Sequence, residues 1–426
     1  MTFIPDALTG SIFAVESIED CCVVLNSPTG CKFYHAHISN QQYPRESSLD
    51  PLSFAEEFYF GQPRVPCTYL DEDDYVAGSS EKLLSILPNV APRQKGPVVV
   101  INSPGATLIG DNLKYTFKET GLEQQCVAVE SVDFSRPAPE GFEKTLLEIL
   151  KKYVSNPGRS SSEKVNIIGL SVSHKHWEGT IKEIKRLLEL MGIEVATVIP
   201  AGCTIDEIKA SSGASFNIIL CAEYGLQAAK WYEQEFGIPY VLCPHGAPVG
   251  FDATISFLNS IAEKMNVDAS RALEDISQAR KTAYRKIARY NSLTGLPKGA
   301  TFSIQADSSL ALPLTKWLYY YLGMAPMAVK ILPGGNPEYE KALCDFMEDI
   351  GFTDEWDIFP GDQPVDIAIA DGHTVESLRN QNMCRNGIEI ALPAGEYLDM
   401  VQKTYMGTTG ALMILEEVLN GIRMLS

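Results

Sequence analysis

Short β-branched runs recur along this chain, each closed by a glycine or proline turn and followed by apolar residues at helical spacing. Strands alternating with helical periods predict parallel sheets covered by helices on both faces. The alternation falls into three blocks. In the first, the pattern predicts strands at 22–25, 97–102 and 126–130 and a helix near 142–153. The polar stretch Ser155-Asn-Pro-Gly-Arg-Ser-Ser-Ser-Glu163 then reads as a linker. The second block is the most regular, with a buried strand at 165–170 and an amphipathic helix at 179–191. Further strands are predicted at 193–199, 216–221 and 240–243, then a long helical region over 252–290, closed by Gly295-Leu-Pro-Lys-Gly299. The third block predicts strands at 300–304, 327–332, 356–359, 365–370 and 388–392 and a last helix over 410–422. The fold class is therefore α/β: three Rossmann-like domains, each a mostly parallel sheet flanked by helices, with boundaries at 1–155, 163–295 and 299–426.

The length of 426 residues suits this division, at about 150 residues per domain. With 35 Lys and Arg against 54 Asp and Glu, the net charge is −19. A body that acidic repels phosphate backbones, so nucleic acid is not an expected partner. No apolar run approaches the roughly 18 residues of a membrane span, so no membrane partner is expected either. The opening Met1-Thr-Phe-Ile-Pro-Asp6 lacks the basic and apolar regions of a signal peptide, which predicts a cytoplasmic protein. Its ten cysteines are then expected reduced. No C-x-x-C occurs, so a metal site has to draw ligands from distant loops or from another chain. No G-x-G-x-x-G or G-x-x-x-x-G-K-[ST] follows any predicted strand, and nucleotide binding is not supported.

Open α/β sheets bind ligands beyond the carboxyl ends of their strands. Four segments stand there: Asn26-Ser-Pro-Thr-Gly-Cys31, the stretch from Ser103 to Asn112, Cys221 at the end of its strand, and Cys243-Pro-His-Gly. Thiols at strand ends suit a soft metal. Free cysteine is also among the most buried residue types, and only Cys31 sits on a glycine turn that delivers it into a loop. His174-Lys-His176 follows a strand but has no carboxylate beside it in sequence, and His245 is better placed for a substrate pocket. Asp71-Glu-Asp-Asp74 reads as a helix start, where the dipole favours negative charge. On these grounds alone, a glycosyltransferase-like or binding-protein-like arrangement fits nearly as well as a metal protein.

Read in order, the segments resemble the nitrogenase component 1 superfamily. That superfamily includes nitrogenase subunits, cofactor-assembly scaffolds and the dark-operative protochlorophyllide and chlorophyllide reductases. Asp6-Ala-Leu-Thr-Gly10 followed by Asn26-Ser-Pro-Thr-Gly-Cys31 is similar to its C-x-x-x-G-A and H-G-P-x-G-C segments. Tyr69-Leu-Asp-Glu-Asp-Asp-Tyr-Val-Ala-Gly78, Leu108-Ile-Gly-Asp-Asn112, Phe216-Asn-Ile-Ile-Leu-Cys221 and Tyr405-Met-Gly-Thr-Thr-Gly410 match later motifs. The resemblance implies a [4Fe–4S] cluster shared at a subunit interface, ligated from up to three cysteine positions per subunit. Cys31 occupies the second position, and Gly30 would let the backbone approach the cluster. Asp6 stands at the first position and Pro104 at the third, with Ser103 beside it.

Two arrangements follow. In one, Cys31 is the single ligand that a cysteine-poor β-type subunit gives to a cluster completed by an α-like paralogous partner. In the other, Asp6, Cys31 and either Cys22 or Cys67 build the site in a homodimer. Cys221 aligns with the position that binds a larger metallocofactor in nitrogenase, but the matching histidine is absent from 393–400. The resemblance thus implies an oxidoreductase subunit that takes electrons from an ATP-dependent iron–sulfur reductase and reduces a substrate bound between domains. A non-catalytic scaffold for metallocofactor assembly and a metal-free α/β binding protein are the alternatives.

Overall fold

The structure is a computed structural model that describes residues 4–35, 65–110, 112–130, 135–155 and 163–423. Most of the predicted linker (156–162) and Asp111 of the Leu108 to Asn112 segment lie outside the described residues. Three sheets form, one for each block of the sequence pattern: β1 (Cys22–Asn26), β2 (Val98–Asn102) and β3 (Cys126–Val129) in that order; β5 (Val195–Pro200), β4 (Val165–Leu170), β6 (Phe216–Ile219) and β7 (Tyr240–Val241); and β11 (Cys384–Glu389), β10 (Val365–Ala370), β8 (Thr301–Ala306) and β9 (Ala325–Ile331). Their recorded pairings are parallel. Parallel strands flanked by helices are buried on both faces, which is why β1, β2 and β4 read as unbroken buried runs rather than alternations.

By packing, the chain divides into two compact units: Pro5–Ser160 with Ile199–Gly213, and Met1–Ile4 with Ser161–Val198 and Ala214–Ser426. The second therefore holds two of the sheets. Residues 199–213 leave the middle block because their backbone is tied to the first unit. The Glu19 N–H donates to the Cys203 carbonyl at 2.8 Å, the Gly202 N–H to the Ser17 carbonyl at 2.8 Å, and the Ile205 N–H to Asp20 Oδ1 at 2.9 Å.

In the first unit, the helix Ala7–Glu16 is buried along its whole length and packs on the helix Ala138–Tyr153. The helices meet through glycines. A Cβ on Gly10 would stand 1.9 Å from the Ala138 carbonyl oxygen, and one on Gly141 would stand 1.8 Å from that of Ala7. Gly10, a motif residue, is thus a packing requirement. At the carboxyl end of the sheet, Asn26 Nδ2 donates to Asn102 Oδ1 (2.9 Å) and to Ser79 Oγ (3.0 Å), and Thr68 Oγ1 donates to Asn26 Oδ1 (2.9 Å). This buried network draws the segment at 65–70 onto the end of β1, where Leu25 and Cys67 form a bridge.

Three expectations need correction. Residues 356–359 form no strand: Trp356 makes one bridge to Val329 after the turn Thr353–Glu355. The region 252–290 is two helices, Phe251–Met265 and Ser270–Thr294, because Asn266 ends the first in the left-handed conformation. Cys31 is in the short helix Thr29–His35 rather than a loop. No helix among the described residues is long and apolar enough to cross a membrane.

Candidate metal centre

The helix Thr29–His35 starts three residues after β1, which puts Cys31 at the carboxyl end of the first sheet. The thiol is half-buried and hydrogen-bonded to the Ser103 side chain. Ser103 follows β2 and caps the helix Pro104–Ile109, accepting from the Ala106 N–H at 3.3 Å. Burial raises the Cys31 thiol pKa, with Cys67 and Asp6 adding to the rise and Ser103 opposing it. Cys31, Cys67, Asp6 and Ser103 are thus brought within electrostatic reach of one another.

Asp6 is the N-cap of the helix Ala7–Glu16. Its Oδ1 accepts from the Thr9 N–H at 3.0 Å and from Thr9 Oγ1 at 3.0 Å, and lies 3.1 Å from His35 Nδ1. Burial alone would raise the pKa of its carboxyl, but the bonds from His35 and Thr9 outweigh it and hold the group below the usual carboxylate value. Asp6 is therefore ionised at neutral pH. Cys67 is buried; its Sγ donates to the Ser27 carbonyl at 3.3 Å and accepts from the Tyr69 N–H at 3.4 Å. Lys32 is buried, and its Nζ has no hydrogen-bond partner among the described residues. Burial lowers its pKa, while Cys67 and Glu16 work against that. Gly30 is exposed, and a Cβ on it would meet nothing within 4 Å among the described residues.

Several apolar and aromatic side chains are exposed on the neighbouring helices, alongside Glu72 and Asp73. Phe33 and Tyr34 stand out from the Cys31 helix at 70% and 72% exposure. Val76 and Leu108 are exposed on the helices Glu72–Ala77 and Pro104–Ile109, which pack together. Tyr75 lies close enough for Cys31 to raise its phenol pKa, after the larger effect of burial.

A family model described as nitrogenase component 1 type oxidoreductase matches residues 7–423. The chain belongs to that family. Among curated relatives, the B subunit of the light-independent protochlorophyllide reductase of Synechococcus sp. (strain JA-3-3Ab) is 24% identical over 270 residues, 60% of this chain and 49% of that protein. The corresponding protein of Leptolyngbya boryana is 24% identical over 374 residues, 81% of this chain and 68% of that protein. The chain spans about half the length of the curated relatives it first matches. A solved structure, "Nitrogenase Cp1 at pH 6.5", superposes with a TM-score of 0.78 at 16% identity, covering 99% of this chain and 93% of that one. That likeness shows the shared fold.

Within this component 1 fold, two further sequence candidates, Cys22 and Cys221, are buried in core positions. Cys22 begins β1, at the end of the strand opposite Cys31, and packs in the core with Val24, Leu83, Leu87 and Val98. Strand periodicity is the reason: Cys22 shares the covered face of Val24. Cys221 belongs to the second unit and is fully buried. Its thiol pKa is pushed well up, first by burial and then by Glu223 and Asp307. Among the described residues, no three His, Cys, Asp or Glu side chains converge to hold a metal ion. The donor set around Cys31 fits a share of a cluster, one half-exposed thiol and one ionised carboxylate, and not a whole one.

The histidines also have places that the sequence pattern missed. His174 is buried; its Nδ1 accepts from the Ser171 N–H at 2.9 Å and its ring meets Tyr224 edge-on. His176 pairs with Asp399 at 3.1 Å. The carboxylate missing beside it in sequence arrives from a segment more than two hundred residues later. Asp71 and Asp74 form a reciprocal cap and bind Lys82, as a helix start should. The Tyr405 to Gly410 motif is an anchor: the Gly407 N–H donates to the Pro248 carbonyl at 2.8 Å, and the Thr409 N–H to Glu183 Oε1 at 3.0 Å.

Proposed function

We propose that this chain is a β-type subunit of a nitrogenase-like two-component reductase, and that it gives Asp6 and Cys31 to a [4Fe–4S] cluster completed by a second subunit. The observation that carries the reading is the pairing of an ionised, half-enclosed carboxylate with a half-exposed thiol at one sheet end, on a surface of exposed aromatic and aliphatic side chains. Exposed apolar patches of this kind mark surfaces that another protein covers. The second subunit is a second copy or an α-like paralogue. The electron donor in this reading is an ATP-dependent iron–sulfur reductase. When bound, the cluster would supply one-electron transfer across the interface.

The chain's own residues have separable tasks. Cys31 donates a thiolate, which burial disfavours in the isolated chain and iron would stabilise. Asp6 keeps Oδ1 on the helix cap and on His35, which leaves Oδ2 for ligation. Lys32 places a buried ammonium group beside Cys67, where it offsets the negative charge of ligating thiolates. Phe33, Tyr34 and Leu108 exclude water once the partner is seated.

The test is iron and acid-labile sulfide on anaerobically purified protein, alone and with the paralogous subunit of its own organism. The expected result is about four iron atoms per assembled pair, lost in Cys31→Ala with the fold intact. Equal iron in wild type and Cys31→Ala, or none in any assembly, would overturn the reading.

A further inference from the structure

The helix Ser270–Thr294 is tied into the second unit along its first half. Ala272 and Ile276 are buried, and Asp275 accepts from Arg186 at 3.0 and 2.8 Å. Arg280, held by Asp252 at 2.9 Å, ends the tied portion. From Lys281 to Thr294 only Ala283 is buried. Lys281, Arg285, Lys286 and Arg289 are exposed there, and none of them has an ion-pair partner among the described residues. In a chain of net charge −19, the sequence from Ile276 to Ala306 holds no Asp or Glu.

Positions 281, 285 and 289 lie one turn apart on the solvent face, spanning about 12 Å. Like charges at i, i+4 weaken a helix, so the stripe works against the element that carries it. The helix dipole does not account for it either, because that attraction is confined to the last turn, which carries no basic residue. The same face presents Tyr284, at 68% exposure, and the small Ala288 between the two arginines and the tyrosine. Arginine and tyrosine are enriched where proteins dock, and guanidinium groups pair with carboxylates through two parallel hydrogen bonds. So short a stripe in so acidic a body suits a short acidic segment better than a nucleic acid, whose phosphates would run on over repelling surface. Tyr284 and Leu293 are the only large apolar side chains exposed on this half of the helix, too few to seat it in a membrane.

We propose that this stripe docks an acidic helical segment of a partner protein, whose carboxylates at i, i+4 spacing pair with Lys281, Arg285 and Arg289 while its apolar edge lies against Tyr284. The proposal does not depend on the Cys31 surface. The test is fluorescence anisotropy of a labelled alanine-based helical peptide bearing glutamates at i, i+4 spacing, titrated with the full chain. Saturable binding is expected, weakened about tenfold between about 50 and 300 mM salt. Combining Arg285→Glu with Arg289→Glu, both at exposed positions, should weaken it at least about tenfold. Lys341→Glu, exposed on the helix Pro337–Asp349, should leave it unchanged. A peptide of the same composition with its glutamates spread around the helix should bind several-fold more weakly. The proposal is overturned by no saturable binding, by equal affinity for the two peptides, or by wild-type affinity in the double variant. It is also overturned by tighter binding of single-stranded oligothymidine or of phosphatidylserine vesicles than of the peptide, or by self-association of the chain that the same double variant abolishes.

Discussion

Asp6 has two separable jobs in this structure, and a pair of substitutions pulls them apart. As an N-cap it holds the Thr9 N–H and hydroxyl; as an ionised carboxylate it lies 3.1 Å from His35 Nδ1. Asp6→Ala removes both. Losing an N-cap costs about 1 kcal/mol, and taking the acceptor away from His35 and the Thr9 hydroxyl brings the total to about 1–2 kcal/mol. At roughly 2–4 °C per kcal/mol for a unit of this size, the apparent Tm falls by about 2–8 °C. Asp6→Asn keeps the cap, because asparagine caps as well as aspartate, and should stay within about 2 °C of wild type. Both variants lack the carboxylate, so both should lose or alter the iron–sulfur absorbance of the assembled protein. The folded carboxyl pKa lies below its ordinary value of 3.8, so its stabilisation is complete above that value and is lost as pH falls through the folded one. The gap between wild type and Asp6→Ala should therefore begin to narrow only below about pH 4. Differential scanning calorimetry and iron analysis read the two roles independently. Wild-type iron and absorbance in Asp6→Asn would remove Asp6 from the ligand set, and a Tm in Asp6→Asn as low as in Asp6→Ala would refute the capping argument.

Gly10→Ala drives a methyl group into the Ala138 carbonyl and should cost about 2–4 kcal/mol, read as lost soluble yield or a lowered Tm; an unchanged Tm would mean that the two helices separate at little cost. Cys22→Ala should cost about 1 kcal/mol as a small core deletion and leave iron content untouched, whereas a loss of iron would return Cys22 to the ligand set. His174 is fully buried and its pKa is lowered to about 4, chiefly by burial. The unfolded chain then takes up a proton that the folded chain refuses, so this contribution is intact above pH about 6.5 and is lost as pH falls towards 4, by about 3 kcal/mol in all. Melting between pH 7 and 4.5 should fall more steeply for wild type than for His174→Gln, and parallel curves would refute it.

Periodicity and turn residues in the sequence determined the α/β class, the three sheets and nearly all their strands, because a doubly covered parallel strand must be apolar throughout and a glycine or proline must follow it. The same signals misled at 356–359, where an apolar run at a sheet margin is held by a single bridge, and at Cys31, where the residues after Pro28 continue into a helix. Motif order was enough to identify the family, and it singled out Cys31 and Asp6. Only the tertiary structure separated Cys67, drawn beside Cys31 by the Asn26–Asn102–Thr68 network, from Cys22, which is nearer in sequence but faces the core from the far end of the strand. Only the fold, too, gave His176 its carboxylate, since Asp399 arrives from a distant loop that no local spacing could announce. Side-chain chemistry at a sheet end depends on which chain segments are folded against it, and that is a property of packing rather than of neighbours in sequence.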